Sequence, residues 1–145
     1  MKNFLFAAVI LLSFSCKKEK ASENITAYHW VLKAQVASPA VTIDGKTSTD
    51  YLSLQNPEGC SKNFGFTFYA NGTFAKGSNG ALCDMIANSD RQKWTREGDQ
   101  ITLDYGNGPS TLKLTIKGNT LIGTSSITMN GSTHTIVSTY RAEKN

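Results

Sequence analysis

Residues 64–74, FGFTFYANGTF, begin with a phenylalanine at every second position. Alternate side chains of a β-strand point to the same face, so Phe64, Phe66 and Phe68 predict a strand with one strongly apolar face. Asn71-Gly72 follows, a pair typical of tight hairpin turns because both residues tolerate a positive φ. The stretch therefore predicts a β-hairpin with an aromatic face.

A cysteine lies on each side of this hairpin, Cys60 before its first strand and Cys83 after its second. Antiparallel pairing brings those two ends together, which puts the Cα separation of a disulfide within reach. An even pair of cysteines in an exported chain usually forms a disulfide. We therefore predict a Cys60–Cys83 disulfide at the open end of the hairpin.

The N-terminus has the features of an export signal. Lys2 precedes an apolar run, residues 4–12, that is too short to span a bilayer as a helix. The small Ser15 then precedes Cys16 and a basic stretch, which resembles a bacterial lipoprotein signal. The resemblance implies that residues 1–15 are a signal peptide and that Cys16 is lipidated. The alternative is an ordinary signal peptide that is cleaved elsewhere.

A lipidated Cys16 predicts an exported protein anchored in the outer membrane, on its periplasmic side or at the cell surface. Several acyl chains anchor a protein stably, whereas one does not. Residues 16–27 are polar and have no period, which predicts a flexible tether between the membrane and a folded domain at 28–145. The membrane is thus the first expected partner.

Composition fits one globular domain. The chain has 145 residues, of which 39% are apolar and 18% charged. Half of the net charge of +4 comes from the N-terminal stretch, and the basic residues of the domain itself are scattered singly. A nucleic-acid-binding protein concentrates such residues on one element, so we expect no nucleic acid partner.

Alternation and turn signals predict eight strands. They cover residues 28–36, 63–69, 73–76, 91–96, 100–105, 111–117, 120–129 and 132–141. Tight connections imply antiparallel pairing, and eight such strands in chain order predict an all-β, up-and-down barrel. An open meander or a sandwich is the alternative. Residues 37–59 are predicted to be a long loop with short structured pieces over one barrel end.

The order of landmarks along the chain resembles a known family. Trp30 opens the first strand, Cys60 precedes the aromatic strand, and Trp94 precedes a turn and strand, GDQITL, at residues 98–103. This order is similar to that of the lipocalin-like domain proteins of bacterial lipoproteins. The resemblance implies an eight-stranded barrel that either holds a small hydrophobic molecule or is filled by its own side chains.

The resemblance also implies a structural pair at the closed end of the barrel. Arg141 on the last strand is expected to lie across Trp30 on the first, as a cation–π contact. The alternative is that Arg141 is a solvated residue near the chain terminus.

Five large aromatic side chains are candidates for the barrel interior, and an eight-stranded barrel is only wide enough for side chains or one small ligand. They are Trp30, Phe64, Phe66, Phe68 and Trp94. If they line a pocket, the protein binds a small hydrophobic molecule in the barrel or at its mouth. If they fill the core, we expect a protein-interaction or inhibitor module that acts through residues 37–59 and 77–90.

Motifs for catalysis do not stand out in the sequence. His29 and His134 have no Cys or carboxylate nearby at metal-ligand spacing, although their strands are neighbours in the predicted barrel. A metal site shared by the two histidines is the minor alternative. The sequence thus predicts a protein that is not an enzyme and has no cofactor or metal site.

Overall fold

The structure is a computed structural model that describes residues 20–55, 59–78, 90–108 and 111–144. Within these residues the chain forms antiparallel strands, one short α-helix and two single turns of 3-10 helix. The strands are β1 (Tyr28–Ile43), β2 (Lys46–Asp50), β3 (Phe64–Phe68), β4 (Phe74–Ser78), β5 (Lys93–Glu97), β6 (Gln100–Asp104), β7 (Thr111–Lys117), β8 (Thr120–Met129) and β9 (Ser132–Lys144). The helix α1 is Tyr51–Gln55, and the 3-10 turns are Ile25–Ala27 and Cys60–Asn63.

Several predictions fall partly or wholly outside the described residues, and these include most of the loop predicted to act at 77–90 and the first part of the tether at 16–27. The signal peptide at 1–15 and the lipidated Cys16 precede the described part of the chain. Cys83 also lies outside it, so the Cys60–Cys83 disulfide stays a prediction.

Among the described helices, none has the length and apolar character needed to cross a membrane.

The strands form a nearly closed barrel. Hydrogen-bonded neighbours follow the order β4-β3-β1-β9-β8-β7-β6-β5, and β2 pairs with β1 outside this order. The two ends meet where Thr73 bridges Lys93 and where Trp94 N donates to the Gly72 carbonyl at 2.9 Å. The predicted antiparallel, up-and-down barrel is confirmed, and its first and last strands, β1 and β9, lie side by side.

The structure differs from the prediction after residue 36. β1 continues to Ile43 and turns through Asp44-Gly45, both at positive φ, into β2. Beyond the barrel, Ala37 and Val41 of β1 pack against Ile136 of β9 in a second, small core. Much of the predicted loop at 37–59 is therefore strand and helix.

The two Asn-Gly pairs form different turns. Asn130-Gly131 has positive φ at both residues and closes a two-residue hairpin, because Met129 pairs directly with Ser132. At Asn71-Gly72 the positive φ falls on Gly72, and Tyr69 N donates to the Thr73 carbonyl at 2.9 Å. The prediction of a tight turn at Asn71-Gly72 was therefore wrong. The loop between the paired residues Phe68 and Phe74 spans residues 69–73.

The side chain of Asn71 explains this wider loop. Its Oδ1 accepts hydrogen bonds from Thr73 N at 3.0 Å and from Thr73 Oγ1 at 2.7 Å. Such local side-chain bonds compete with the backbone pairing of a tight turn. The hairpin is nevertheless formed, with Phe68 opposite Phe74 and Phe66 opposite Lys76.

The core of the barrel is made of side chains from all its walls. Inward positions alternate along each strand, which buries large apolar residues away from water. Those with almost no exposed surface are Trp30, Phe68, Ile101, Leu103, Leu114, Ile116 and Leu121. This part of the barrel interior is filled.

Candidate functional site

The chain before β1 closes one end of the barrel. Ala21 is fully buried, and its N–H donates to Asn119 Oδ1 at 3.0 Å. Ser22 N donates to the Gly118 carbonyl at 2.9 Å, which ties the segment to the turn between β7 and β8. The carbonyl of the buried Ile25 accepts the indole N–H of Trp30 at 3.1 Å.

These contacts correct the predicted flexible tether at 16–27. Residues 21–27 belong to the folded domain, since Ile25 supplies apolar surface and the neighbouring turn satisfies the backbone of Ala21 and Ser22. The sequence did not predict that these residues are folded, because the segment is polar and has too few apolar residues to show a period.

The predicted pair of Trp30 and Arg141 is wrong. In the register of β1 and β9, Trp30 lies opposite Ala142, and Arg141 lies opposite Val31. Directly opposed residues share a face and successive residues alternate, so Trp30 points inward and Arg141 outward. Accordingly, Trp30 is fully buried and Arg141 is exposed.

A different arginine, Arg96, forms hydrogen bonds at this closed end of the barrel. Arg96 donates from its terminal nitrogen to the Ser22 carbonyl at 2.7 Å and from Nε to the Gly98 carbonyl at 2.7 Å. It therefore joins the N-terminal segment to the turn between β5 and β6. Sequence reasoning missed this role, because it depends on residues 20–27 being folded.

Three of the five candidate aromatic residues are buried. Trp30, Phe68 and Phe66 are 0%, 1% and 6% exposed. Phe68 packs against Trp94 with ring centroids 5.2 Å apart, and the half-buried Trp94 donates its indole N–H to the Tyr69 carbonyl at 3.0 Å. The core is therefore filled by three of the candidate aromatic residues, Trp30, Phe68 and Trp94.

The opposite end of the barrel holds a cavity of about 290 Å³, which we call the mouth cavity. Its walls come from β1, β3, β4, β7, β9 and the segments that follow α1 and β6. The lining residues are Leu32, Gln35, Gln55, Ser61, Phe64, Gly65, Phe66, Lys76, Tyr105, Leu112 and Tyr140. Of the five predicted aromatic residues, Phe64 and Phe66 line this cavity.

Sequence reasoning missed the two tyrosines and the lysine in this lining. Tyr105 continues the inward alternation of Ile101 and Leu103, and that signal was available. Tyr140 lies opposite Leu32 of β1, and both residues line the mouth cavity. A lysine reads as a surface residue in the sequence, so the inward position of Lys76 required the β3–β4 register.

The rings of the mouth cavity contact one another. Phe66 and Tyr140 have centroids 5.1 Å apart, and Tyr105 meets Phe74 edge-on at 5.3 Å. The Lys76 ammonium lies 4.5 Å from the centre of the Tyr105 ring, in a cation–π contact. These contacts make a preformed wall of aromatic surface.

Burial raises the pKa of both tyrosines in the mouth cavity. It raises the pKa of Tyr140 to about 12, with a further contribution from Tyr105 and a smaller opposing one from a hydrogen bond with Ser138. Burial also raises the pKa of Tyr105. Like any tyrosine at neutral pH, both carry a hydroxyl that can donate a hydrogen bond.

Helix α1 lies beside the mouth cavity. Asp50 caps it, because its carboxylate accepts from Ser53 N at 3.1 Å and from Ser53 Oγ at 2.7 Å. Leu52 packs into the main core, while Gln55 at the end of the helix lines the mouth cavity. The helix therefore supplies part of the rim.

On the outer side of α1 there is a second hollow of about 470 Å³, which we call the outer groove. It is lined by Lys33, Ala34, Gln35, Val36, Thr49, Asp50, Leu52, Ser53, Gly59 and Lys62. Val36 in this groove is 49% exposed, so its apolar side chain faces solvent.

The two histidines lie far apart. His29 is on the outer face of β1, where its Nδ1 is 2.8 Å from Thr67 Oγ1. Burial lowers the pKa of His29, and the nearby Glu143 opposes this. His134 lies near the start of β9 with its Nδ1 3.0 Å from the Pro39 carbonyl oxygen. Within the described residues, no group of three or more His, Cys, Asp or Glu side chains is placed to hold a metal ion.

The fold and the mouth cavity together define a small up-and-down β-barrel that is filled at one end and hollow at the other. Comparisons of the chain with family models, with curated proteins and with solved structures find no match.

Proposed function

We propose that this chain is a lipocalin-like binding protein that holds a small hydrophobic molecule at the mouth of its barrel. The mouth cavity carries the proposal. It is a hollow walled by the rings of Phe64, Phe66, Tyr105 and Tyr140, and its lining also includes the polar side chains of Gln35, Gln55, Ser61 and Lys76. Ligand sites in proteins have this character.

The volume of the mouth cavity limits the ligand. About 290 Å³ is at the small end of the range for ligand pockets, which runs from roughly 300 to 1,000 Å³. The ligand cannot extend toward Trp30, because Phe68 and its neighbours fill that space. We therefore place a compact molecule above Phe66, in contact with the rim.

The anchor and the disulfide are part of the same proposal. A signal peptide at 1–15 and a lipidated Cys16 would hold the protein in the outer membrane, on its periplasmic side or at the cell surface. A Cys60–Cys83 disulfide would fix the 3-10 turn Cys60–Asn63, whose Ser61 lines the mouth cavity. A covalent tie at this place would help to keep the cavity preformed.

Native mass spectrometry tests the binding function. Protein purified from its own host should carry a small apolar molecule that organic solvent extracts. Leu112→Trp fills the mouth cavity and should abolish this extra mass. Thr111→Trp adds the same ring one residue earlier on the exposed outer face of β7, so it should keep the ligand. A wild-type protein without bound molecule, and without affinity for added apolar compounds, would contradict the proposal.

The alternative is a protein-interaction or inhibitor module, and the outer groove is the observation that favours it. Residues 46–55 of the predicted loop region form one side of this groove beside the exposed Val36. If this function is correct, Val36→Lys should abolish binding of a partner protein while the mouth cavity stays intact. Leu112→Trp should leave that binding unchanged.

A further inference from the structure

A third hollow lies at the seam of the barrel, where the strands at the two ends of the pairing order, β4 and β5, meet. Its volume is about 540 Å³, and it shares no described lining residue with the mouth cavity or the outer groove. We call it the seam hollow. Its described lining comes from the loop at 69–73 and from the starts of the two strands, and includes Tyr69, Asn71, Thr73, Asp90 and Lys93.

Hydrogen bonds from two sides hold the loop that forms this hollow. Within the loop, Tyr69 N donates to the Thr73 carbonyl at 2.9 Å, and Gly72 N donates to the Tyr69 carbonyl at 3.0 Å. From β5, Trp94 donates its backbone N–H to the Gly72 carbonyl at 2.9 Å and its indole N–H to the Tyr69 carbonyl at 3.0 Å. The loop departs from the tight turn that an Asn-Gly pair favours, and such departures are expected at functional or strained sites. Its backbone therefore places Tyr69 and Asn71 at the hollow before a ligand arrives.

Tyr69 brings apolar ring surface to the seam hollow. It is 46% exposed and, with Val36, it is one of two large apolar residues that are exposed in the described part of the chain. The ring of a tyrosine has a flat apolar face, and its hydroxyl both donates and accepts hydrogen bonds. Tyr69 can thus stack on the C–H groups of another ring.

The polar groups near Tyr69 include both donors and acceptors. Asn71 uses its Oδ1 to accept from Thr73 N and Thr73 Oγ1, which leaves its amide nitrogen available to donate. The carboxylate of Asp90 and the ammonium of Lys93 are exposed, and neither forms an ion pair with another described residue. The described lining therefore offers one charge of each sign beside a fixed amide.

These groups suit a neutral ring that carries hydroxyls. Each hydroxyl both donates and accepts, so neighbouring hydroxyls can bond to Asp90 and to Asn71 while the C–H face of the ring packs on Tyr69. An ionic ligand would be attracted by one of the two charged side chains and repelled by the other. Exposed ion pairs also contribute little to affinity. The chemistry of the lining therefore favours a polyhydroxylated ring over an ionic ligand.

We propose that the seam hollow is a saccharide-binding site. Tyr69 stacks on the face of a pyranose ring, Asn71 donates to one of its hydroxyls, and Asp90 accepts from another. Lys93 supplies a second donor. The site goes beyond the function proposed for the mouth cavity and does not depend on it.

Saturation-transfer NMR with the full chain tests this site. The probes are the methyl glycosides of glucose, galactose, mannose and N-acetylglucosamine, and alanine serves as a zwitterion without a ring. At least one glycoside should receive saturation at its ring protons and bind with a Kd on the order of 1 mM, the affinity expected for a ligand of this size in an open site. Alanine should receive none.

Substitutions in the loop then assign the binding to the seam hollow. Tyr69→Ala removes the ring and should weaken binding about tenfold, whereas Tyr69→Phe keeps the ring and should retain most of the affinity. Asn71→Asp keeps an oxygen that accepts from Thr73 and thereby keeps the loop, but it loses the amide donor and should weaken binding about fivefold. Asn130→Asp makes the same change in the other Asn-Gly turn and is the matched control, with an unchanged Kd. Thermal unfolding of each variant shows whether the fold is kept.

The outcomes separate this site from the mouth cavity. Leu112→Trp should leave saccharide binding intact, so the loss of one function does not decide the other. If none of the four glycosides receives saturation, the proposal is wrong. If alanine binds and the glycosides do not, the hollow is a site for zwitterions and the saccharide class is wrong. If Tyr69→Ala and Asn71→Asp both bind as tightly as the wild type, the saccharide is bound elsewhere and the seam hollow is not its site.

Discussion

Gly65 lies in β3 at a position where the backbone of β1 leaves little room for a side chain. A Cβ atom at this position would lie 2.5 Å from the Trp30 carbonyl oxygen and 2.9 Å from His29 Nε2. The first of these atoms belongs to the backbone of a paired strand, so it cannot move away cheaply. The sequence alone does not show this crowding, because it depends on the register of β1 and β3.

Gly65→Ala should therefore destabilise the protein by about 1–3 kcal/mol. Gly77→Ala is the matched control, because Gly77 is the cross-strand partner of Gly65 and its Cβ would meet His29 at an ordinary 3.4 Å. We expect little change there, or a small gain from the better strand propensity of alanine. Urea unfolding of both variants measures the difference; equal midpoints would show that the contact at Gly65 relaxes freely.

The raised pKa of Tyr140 predicts how the free energy of unfolding changes at alkaline pH. Its pKa is raised to about 12 in the folded protein, against about 10 in an unfolded chain. Between these values the unfolded state releases a proton that the folded state keeps, so the stability that is complete below pH 10 is lost as pH rises toward 12. The loss from this residue should reach about 3 kcal/mol.

A comparison of variants isolates this effect from other groups that titrate at high pH. Tyr140→Phe should lose less stability than the wild type between pH 10 and 12. Tyr69→Phe is the control, because Tyr69 is 46% exposed. Parallel stability curves for Tyr140→Phe and the wild type would mean that Tyr140 titrates like an exposed tyrosine.

At the scale of elements, alternation in the sequence is enough to predict most of the barrel strands. Hairpins such as β8–β9 are local, and their turn residues, Asn130-Gly131, adopt the φ angles that the pair favours. The extension of β1 was missed because Pro39 interrupts its alternation. Its support is distant in sequence, since Val41 packs in a small core with Ile136 of β9.

The segment at 20–27 also depends on distant partners. Asn119 and Arg96 hold it, and neither is near it in the chain. A sequence pattern cannot show that a polar segment covers a barrel end, because the apolar contact consists of little more than Ile25 and Ala21. If this segment closes the barrel, weakening its apolar contact should destabilise the fold.

Ile25→Ala should remove buried apolar surface under Trp30 and destabilise the protein by about 2–5 kcal/mol. Ile25 is 5% exposed and its carbonyl accepts the Trp30 indole N–H, so loosening the segment should also expose the indole to water and shift its fluorescence to longer wavelength. Thr26→Ala is the control, since Thr26 is half-buried and bonds its neighbour Asn24. An unchanged melting temperature in Ile25→Ala would show that residues 20–27 do not stabilise the barrel.

At the scale of the whole molecule, the two ends of the barrel differ in a way that the sequence did not reveal. Aromatic residues on β3 were predicted either to fill the interior or to line a pocket. Both occur, because Phe68 lies toward the closed end and Phe64 toward the mouth cavity. The position along the strand decides between the two, and it follows from the registers of β1, β3 and β9.

This polarity, together with the proposed lipid anchor, predicts how the protein is oriented on a membrane. Four residues, 17–20, separate Cys16 from Ala21, which is buried at the closed end. A chain advances by at most about 3.6 Å per residue, so Ala21 would lie within about 18 Å of the lipidated cysteine. The closed end would then face the bilayer, and the mouth cavity would open away from it.

Energy transfer to a dye in the membrane tests this orientation. Asp99→Cys places a label at the turn between β5 and β6, at the closed end, and Thr133→Cys places one at the far end of β9. The strand β9 spans thirteen residues, about 40 Å at the rise of an extended chain, so the label at Asp99 should transfer energy much more efficiently. Equal transfer from both labels would contradict the orientation, because a barrel lying on its side brings both ends to the membrane. A Cys16→Ser variant that still binds vesicles would contradict the anchor itself, and the orientation would then have to be explained by the surface of the barrel.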